Sequence, residues 1–160
     1  MGYGFPAAIG AQLGNPKEVV VAVVGDGGFQ MTMPELATAA IHKLPIKILI
    51  INNSYLGMVR QWQQLFFDNR ESGVKMEGNP DFVKIGEAYG IKGFHLRRAG
   101  DVTKVLKKAL AYNDGPCIIE AEVAKADNVF PMIPAGAAVS EMLIDEPPAT
   151  MKLKKPVGST

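Results

Sequence analysis

Two short, mostly apolar runs with a helix-forming stretch between them constrain this chain more than any other feature. Val19-Val20-Val21-Ala22-Val23-Val24 and Ile46-Lys47-Ile48-Leu49-Ile50-Ile51 are rich in β-branched residues and lack the apolar-polar alternation of a strand with one wet face. Runs of this kind suit strands covered on both faces of a parallel sheet. Between them, Thr32-Met33-Pro34-Glu35 has the form of a capping box with proline in the first turn. It predicts a helix over 33–43, which Pro45 closes. Strand, helix and strand within about 35 residues make a right-handed βαβ unit with its two strands parallel.

The rest of the chain continues the alternation. Residues 5–14 read as a helix, with Pro6 in its first turn and Gly14 past its end. A loop after Asn52-Asn53 leads into a helical stretch carrying Met58, Trp62, Leu65 and Phe66. Residues 68–79 have no period and read as a mobile surface loop. Asn79-Pro80 opens a helix with Phe82, Ile85, Ala88 and Tyr89 on one side, and Gly90 ends it. Lys92 to Leu96 is a short strand. Asp101 starts a helix whose apolar stripe is Val102, Val105, Leu106, Ala109 and Leu110. Cys117 to Val123 is a last strand. The expected fold class is α/β, a doubly wound domain with a mainly parallel sheet over 1–125. The tail, 126–160, is expected to wrap the surface or cover a site and to end in disorder.

Composition narrows the function. A net charge of +1 over 160 residues, with no long basic run, argues against a nucleic-acid partner. No apolar run approaches a membrane span, and the amino terminus has Pro6 where a myristoylation signal needs Ser or Thr. Cys117 is the single cysteine, so a secreted disulfide framework is excluded. Cytoplasm or an organelle stroma or matrix is the expected compartment. Residues 1–14 are small and apolar where a domain usually starts polar, which suggests that the chain begins inside something larger.

Asp26 and Asn53 lie 27 positions apart, each just past the carboxyl end of a predicted strand. Parallel strands bring those ends to one edge, where open α/β sheets bind ligands. One carboxylate and one amide oxygen suit a hard cation, Mg²⁺ or Ca²⁺, better than zinc. Mg²⁺ held by few protein oxygens usually shares the phosphate oxygens of a ligand. Gly25, Gly27 and Gly28 would let backbone N–H groups approach such a phosphate.

Gly25-Asp26-Gly27 with Asn52-Asn53 at the second strand's end resembles the thiamin-diphosphate motif of thiamin-dependent enzymes. The flanking segments, Met1 to Ala11 and Gly57-Met58-Val59-Arg60-Gln61-Trp62-Gln63, resemble the catalytic subunits of the acetohydroxyacid (acetolactate) synthases. The likeness runs from Met1 to about Asp145. It implies Mg²⁺ held by the Asp26 carboxylate, the Asn53 side-chain oxygen and the Tyr55 carbonyl, with backbone groups of Gly27, Gly28, Leu56, Gly57 and Met58 lining the diphosphate. Met1 matches the bulky apolar residue that supports the bent cofactor, and so reads as an internal methionine. Trp62 would line the pocket for the second 2-keto acid and favour 2-ketobutyrate over pyruvate, with Met58, Val59 and Phe66 beside it.

The implied reaction is carboligation of two 2-keto acids with loss of CO₂, in branched-chain amino-acid biosynthesis. The resemblance places the activating glutamate on a separate domain of a second catalytic subunit, in a homodimer, and FAD on a middle domain. Neither domain is matched here, nor is the strand and helix that normally precede Met1, so the chain reads as an N-terminally truncated C-terminal portion, inactive alone. A small regulatory subunit is a further implied partner. Two alternatives are another thiamin enzyme, of the pyruvate oxidase or glyoxylate carboligase type, and a non-catalytic binding or assembly module. Cys117 reads as a packing residue, His42 and His95 as helix-end or surface residues, Arg60 as an exposed helical arginine, Glu35 as part of the capping box and Glu120 as a strand-edge residue.

Overall fold

The computed structural model describes residues 1–147; the predicted disorder of the last residues lies outside them. In chain order the elements are α1 (Gly4–Gly14), β1 (Val21–Gly25), α2 (Asp26–Gln30), α3 (Leu36–Ile41), β2 (Lys47–Asn52), α4 (Gly57–Phe66), α5 (Phe82–Ala88), β3 (Lys92–Leu96), α6 (Val102–Ala111) and β4 (Cys117–Glu122). Short 3-10 turns precede α3 and α6. Among the described residues no helix is long and apolar enough to cross a membrane.

The chain divides into two compact units, Met1–Ser54 with Met76–Ala124, and Tyr55–Lys75 with the chain from Lys125 on. The first unit holds a four-stranded, wholly parallel sheet in the order β1-β2-β4-β3. Alternation along β2 and β4 sends Ile48, Ile50 and Ile118 to one face, where they pack with Phe5, Ile9, Ala22, Val24, Phe29, Leu36 and Phe82. Phe29 stands between Phe5 and Phe82, its ring 5.7 Å from each, and so joins α1, α2 and α5. The opposite face, with Cys117, Ile119 and Ala121, packs against Ala109 and Val105 of α6. Helices on both faces make the sheet doubly wound, as the strand-helix alternation implies.

Several local expectations change. β1 is an edge strand with one bare face, where Val21 and Val23 are 44% and 64% exposed. Its unbroken apolar run therefore does not mean cover on both sides. Thr32 makes no capping bond; its hydroxyl is buried without a partner, and Glu35 instead accepts from Thr38 Oγ1 at 3.1 Å. The residues meant for one helix over 33–43 begin in a 3-10 turn, and α3 is only six residues long. In α6 only Ala109 of the predicted stripe is fully buried, while Val102 and Leu110 stay exposed.

In the second unit, Gln63 exchanges two hydrogen bonds with Ser72, its amide donating to the Ser72 carbonyl and accepting from the Ser72 N–H, each at 3.0 Å. Val74 is buried, and Tyr55 bridges Lys75. Residues 68–75 are thus folded back on α4 by named bonds, where the sequence suggested an untethered loop. The 126–132 segment is fastened to α4 as well. Arg60 donates to the Ala126 carbonyl (2.8 Å) and to Asn128 Oδ1 (2.6 Å). Gln61 donates to the Val129 carbonyl (2.9 Å) and accepts from the Val129 N–H (2.7 Å). Arg60 is 4% exposed, not a solvated helical arginine.

Candidate functional site

The strand register puts Gly25 opposite Ile51, so the turn after β1 and the end of β2 meet at the carboxyl edge of the sheet. Asp26 is the first residue of α2, entered from an extended Gly25, and is 1% exposed. Its Oδ2 accepts a 2.6 Å hydrogen bond from Asn79 Nδ2. The same amide donates to Asn52 Oδ1 at 3.2 Å, and Gln30 Nε2 donates to Asn79 Oδ1 at 2.9 Å. Asn52 Nδ2 in turn donates to Glu120 Oε1 at 2.9 Å. A continuous chain of amides therefore runs from Asp26 across the ends of β2 and β4.

Burying a carboxylate costs several kcal/mol unless positive charge or hydrogen bonds compensate it. Among the described residues no lysine, arginine or histidine forms an ion pair with Asp26. Its neighbour is a neutral amide. A hard cation is what this donor set lacks, so the residues present fit a Mg²⁺ ion.

Asn53 is half-buried at the end of β2, and Gly27 is buried in α2. A methyl group at Gly28 would sit 3.9 Å from the Gly2 nitrogen, so the Met1-Gly2 segment lies beside the glycine turn; the Met1 side chain is exposed. Within the second unit, Leu56 precedes α4 and Gly57 is its first residue. Tyr55 lies with its ring 5.8 Å from the Arg60 guanidinium. The Trp62 ring meets Phe66 edge-on at 5.6 Å. Val59 and Trp62, together with Gln63, Phe67 and Arg70, line a cavity of about 460 Å³. Met58 is exposed and Phe66 is buried.

The sequence reading missed Asn52, Asn79, Gln30, Glu120 and His95 as partners in one network. Glu120 is no strand-edge residue: β4 is central, and the side chain is 7% exposed, 3.3 Å from His95 Nδ1. A signal for Asn79 existed. A helix that returns the chain between parallel strands starts at their carboxyl ends, and Asn79-Pro80 directly precedes such a helix.

Comparison with known proteins agrees with this geometry. Residues 1–121 match the model of the family described as thiamine pyrophosphate enzyme, C-terminal TPP binding domain. The chain is 49% identical over 144 residues to the acetolactate synthase large subunit of Porphyra purpurea, covering 89% of this chain and 24% of that one. It is 46% identical over 143 residues to the acetolactate synthase isozyme 2 large subunit of Escherichia coli, covering 89% and 26%, and 42% identical over 146 residues to the mitochondrial acetolactate synthase of Schizosaccharomyces pombe, covering 91% and 22%. It thus spans about a quarter of the length of the curated relatives it matches. Among solved structures it resembles the thiamine diphosphate-dependent 4-hydroxybenzoylformate decarboxylase of Rhodococcus jostii RHA1, with a TM-score of 0.72 and 37% identity over 79% of this chain and 24% of that one. With Asp26 buried at the carboxyl edge of a parallel sheet, and with a family match from Met1 to Ala121, this chain belongs to the C-terminal TPP-binding domains of the thiamine pyrophosphate enzymes.

Proposed function

We propose that this chain supplies the diphosphate and Mg²⁺ site of an acetolactate synthase-type enzyme, which joins two 2-keto acids with loss of CO₂. The observation that carries the reading is the buried Asp26 carboxylate at the end of β1, which among the described residues forms no ion pair with a cationic side chain, in a chain 42–49% identical to acetolactate synthases. Asp26 and Asn53 would give side-chain oxygens to the ion, and the resemblance adds the Tyr55 carbonyl. Gly27 and Gly28 would offer backbone N–H groups to the diphosphate, and Leu56, Gly57 and Met58 keep the role that the resemblance gives them. Met1 would support the bent cofactor.

When bound, thiamin diphosphate supplies the electron sink for decarboxylation. The contribution of this chain is positioning. Asn79 orients the Asp26 carboxylate, and the apolar core beneath α2 keeps water from its inner side. Trp62 and Val59 would shape the pocket for the second keto acid, with Trp62 favouring 2-ketobutyrate over pyruvate. For the whole protein we propose a homodimer of catalytic subunits with FAD and a small regulatory subunit, acting in branched-chain amino-acid biosynthesis in cytoplasm or an organelle. The 160-residue chain alone is then inactive.

Calorimetric titration of the chain with thiamin diphosphate and Mg²⁺ tests the site. Asp26→Ala should weaken binding by about tenfold or more, since a charged ligand to the metal is lost. Equal binding by parent and variant would sink the assignment.

A further inference from the structure

The carboxyl edge of the sheet carries a second polar cluster, beyond the Asp26 turn. Asp81 caps α5, His95 lies on β3 and Glu120 on β4, and the parallel register pairs His95 directly with Glu120. Alternation puts His95 on the same face as Gly93, which α5 covers, and Glu120 on the same face as Ile118. All three side chains therefore converge at the start of α5. One ligating atom from each lies within 4.8 Å of the other two, and His95 Nδ1 is 3.3 Å from Glu120 Oε2.

The charge in this cluster does not balance. Glu120 is buried in a central strand, and its other oxygen accepts from the neutral Asn52 amide. Asp81 is a second carboxylate, held below its ordinary range chiefly by the Lys84 backbone N–H that it accepts. Two carboxylates thus face one imidazole, and even a protonated ring leaves a negative charge over. Lys84 approaches Asp81 only at 3.8 Å, from an exposed position where an ion pair contributes little.

We propose that Asp81, His95 and Glu120 form a binding site for a divalent transition-metal ion of the Zn²⁺ class. An imidazole nitrogen with carboxylate oxygens selects such an ion over Mg²⁺. Two ligands each about 2.0 to 2.1 Å from a tetrahedral ion stand about 3.3 Å apart, which is the spacing of the His95–Glu120 pair. Asp81 closes the set by a small rotation, with Oδ1 remaining on the Lys84 N–H. The partly exposed His95 leaves the ion a path from solvent and room for water at a fourth position. Occupancy ties β3, β4 and α5 together and fixes Glu120, which holds Asn52 in the amide chain leading to Asp26.

Titrating the 160-residue chain with Zn²⁺ in excess Mg²⁺ separates this site from the one at Asp26. The expected result is one bound Zn²⁺, with the imidazole resonances of His95 shifted and those of His42, at the end of α3, unchanged. His95→Gln should weaken Zn²⁺ binding by about tenfold or more, with a circular dichroism spectrum like the parent's; Glu120→Gln is the second variant should His95→Gln unfold. Asp26→Ala should bind Zn²⁺ as the parent does, whatever becomes of its thiamin diphosphate. Absence of saturable Zn²⁺ binding, equal binding by His95→Gln, or loss of binding in Asp26→Ala would overturn the proposal.

Discussion

Cys117 and Lys47 occupy paired register positions on neighbouring central strands, and burial works against the charged form of each. It pushes the Cys117 thiol up, an effect the nearby Lys47 partly offsets, and pulls the Lys47 ammonium down. Lys47 keeps partners nonetheless, donating to the Tyr112 carbonyl and, at 3.2 Å, to Asn113 Oδ1. A thiol whose native pKa is raised contributes stability that is fully present below the unfolded value, about 8.5, and is lost as pH rises through the native one. Lys47 gives the opposite slope, so the comparison must hold it constant. Denaturant unfolding of parent and Cys117→Ala from about pH 7 to 10 isolates the thiol. The stability advantage of the parent should shrink above about pH 8.5, and a constant difference would refute the assignment. Cys117 was readable as a packing residue because an apolar strand surrounds it in sequence. Arg60 was not readable as buried, because two of its partners, Ala126 and Asn128, are 66 and 68 residues away and no local period reports them.

Elements longer than a turn and strongly patterned, such as β2, β4 and α6, were legible from composition and period alone. α2 was not. It has five residues, two of them glycine, and forms because Phe29 is driven between Phe5 and Phe82, a tertiary cause with no local signature. The polar network around Asp26 was legible only in part for a related reason. Asp26 and Asn53 end predicted strands, but Asn79 bonds Asp26 directly and Glu120 is linked to it through Asn52 and Asn79, connections that depend on the strand order. The packing of α5 on β3 depends on Gly93, where a methyl group would lie 2.3 Å from Val83 Cγ1. Gly93→Ala must therefore displace Val83 and disturb the packing of α5 on β3, at a cost of about 1 to 3 kcal/mol. Denaturant titration should find that loss, and adding Val83→Ala should return part of it. Gly100→Ala, with no atom within 4 Å of the added methyl, serves as the control.

At the scale of the molecule, the pairing of residues 55–75 with the chain from Lys125 on departs from the linear order of a domain followed by a tail. The sequence does suggest a boundary near 125, where strand residues give way to Pro, Ala and Gly, but not the partner. β1 carries a different kind of consequence. Among the described residues its outer ladder has no partner strand, Val21 and Val23 line its bare face, and Val19 just before it is exposed as well. An apolar edge of this sort is a template for stacking against itself, and a net charge of +1 gives copies little mutual repulsion. Shelf life, not unfolding, should then limit work with the isolated chain. Light scattering should grow with concentration and time, and Val23→Lys should slow that growth while leaving the denaturation midpoint near the parent's. Unchanged scattering would place the sticky surface elsewhere. A lysine on that edge would keep the isolated chain dispersed long enough to be titrated.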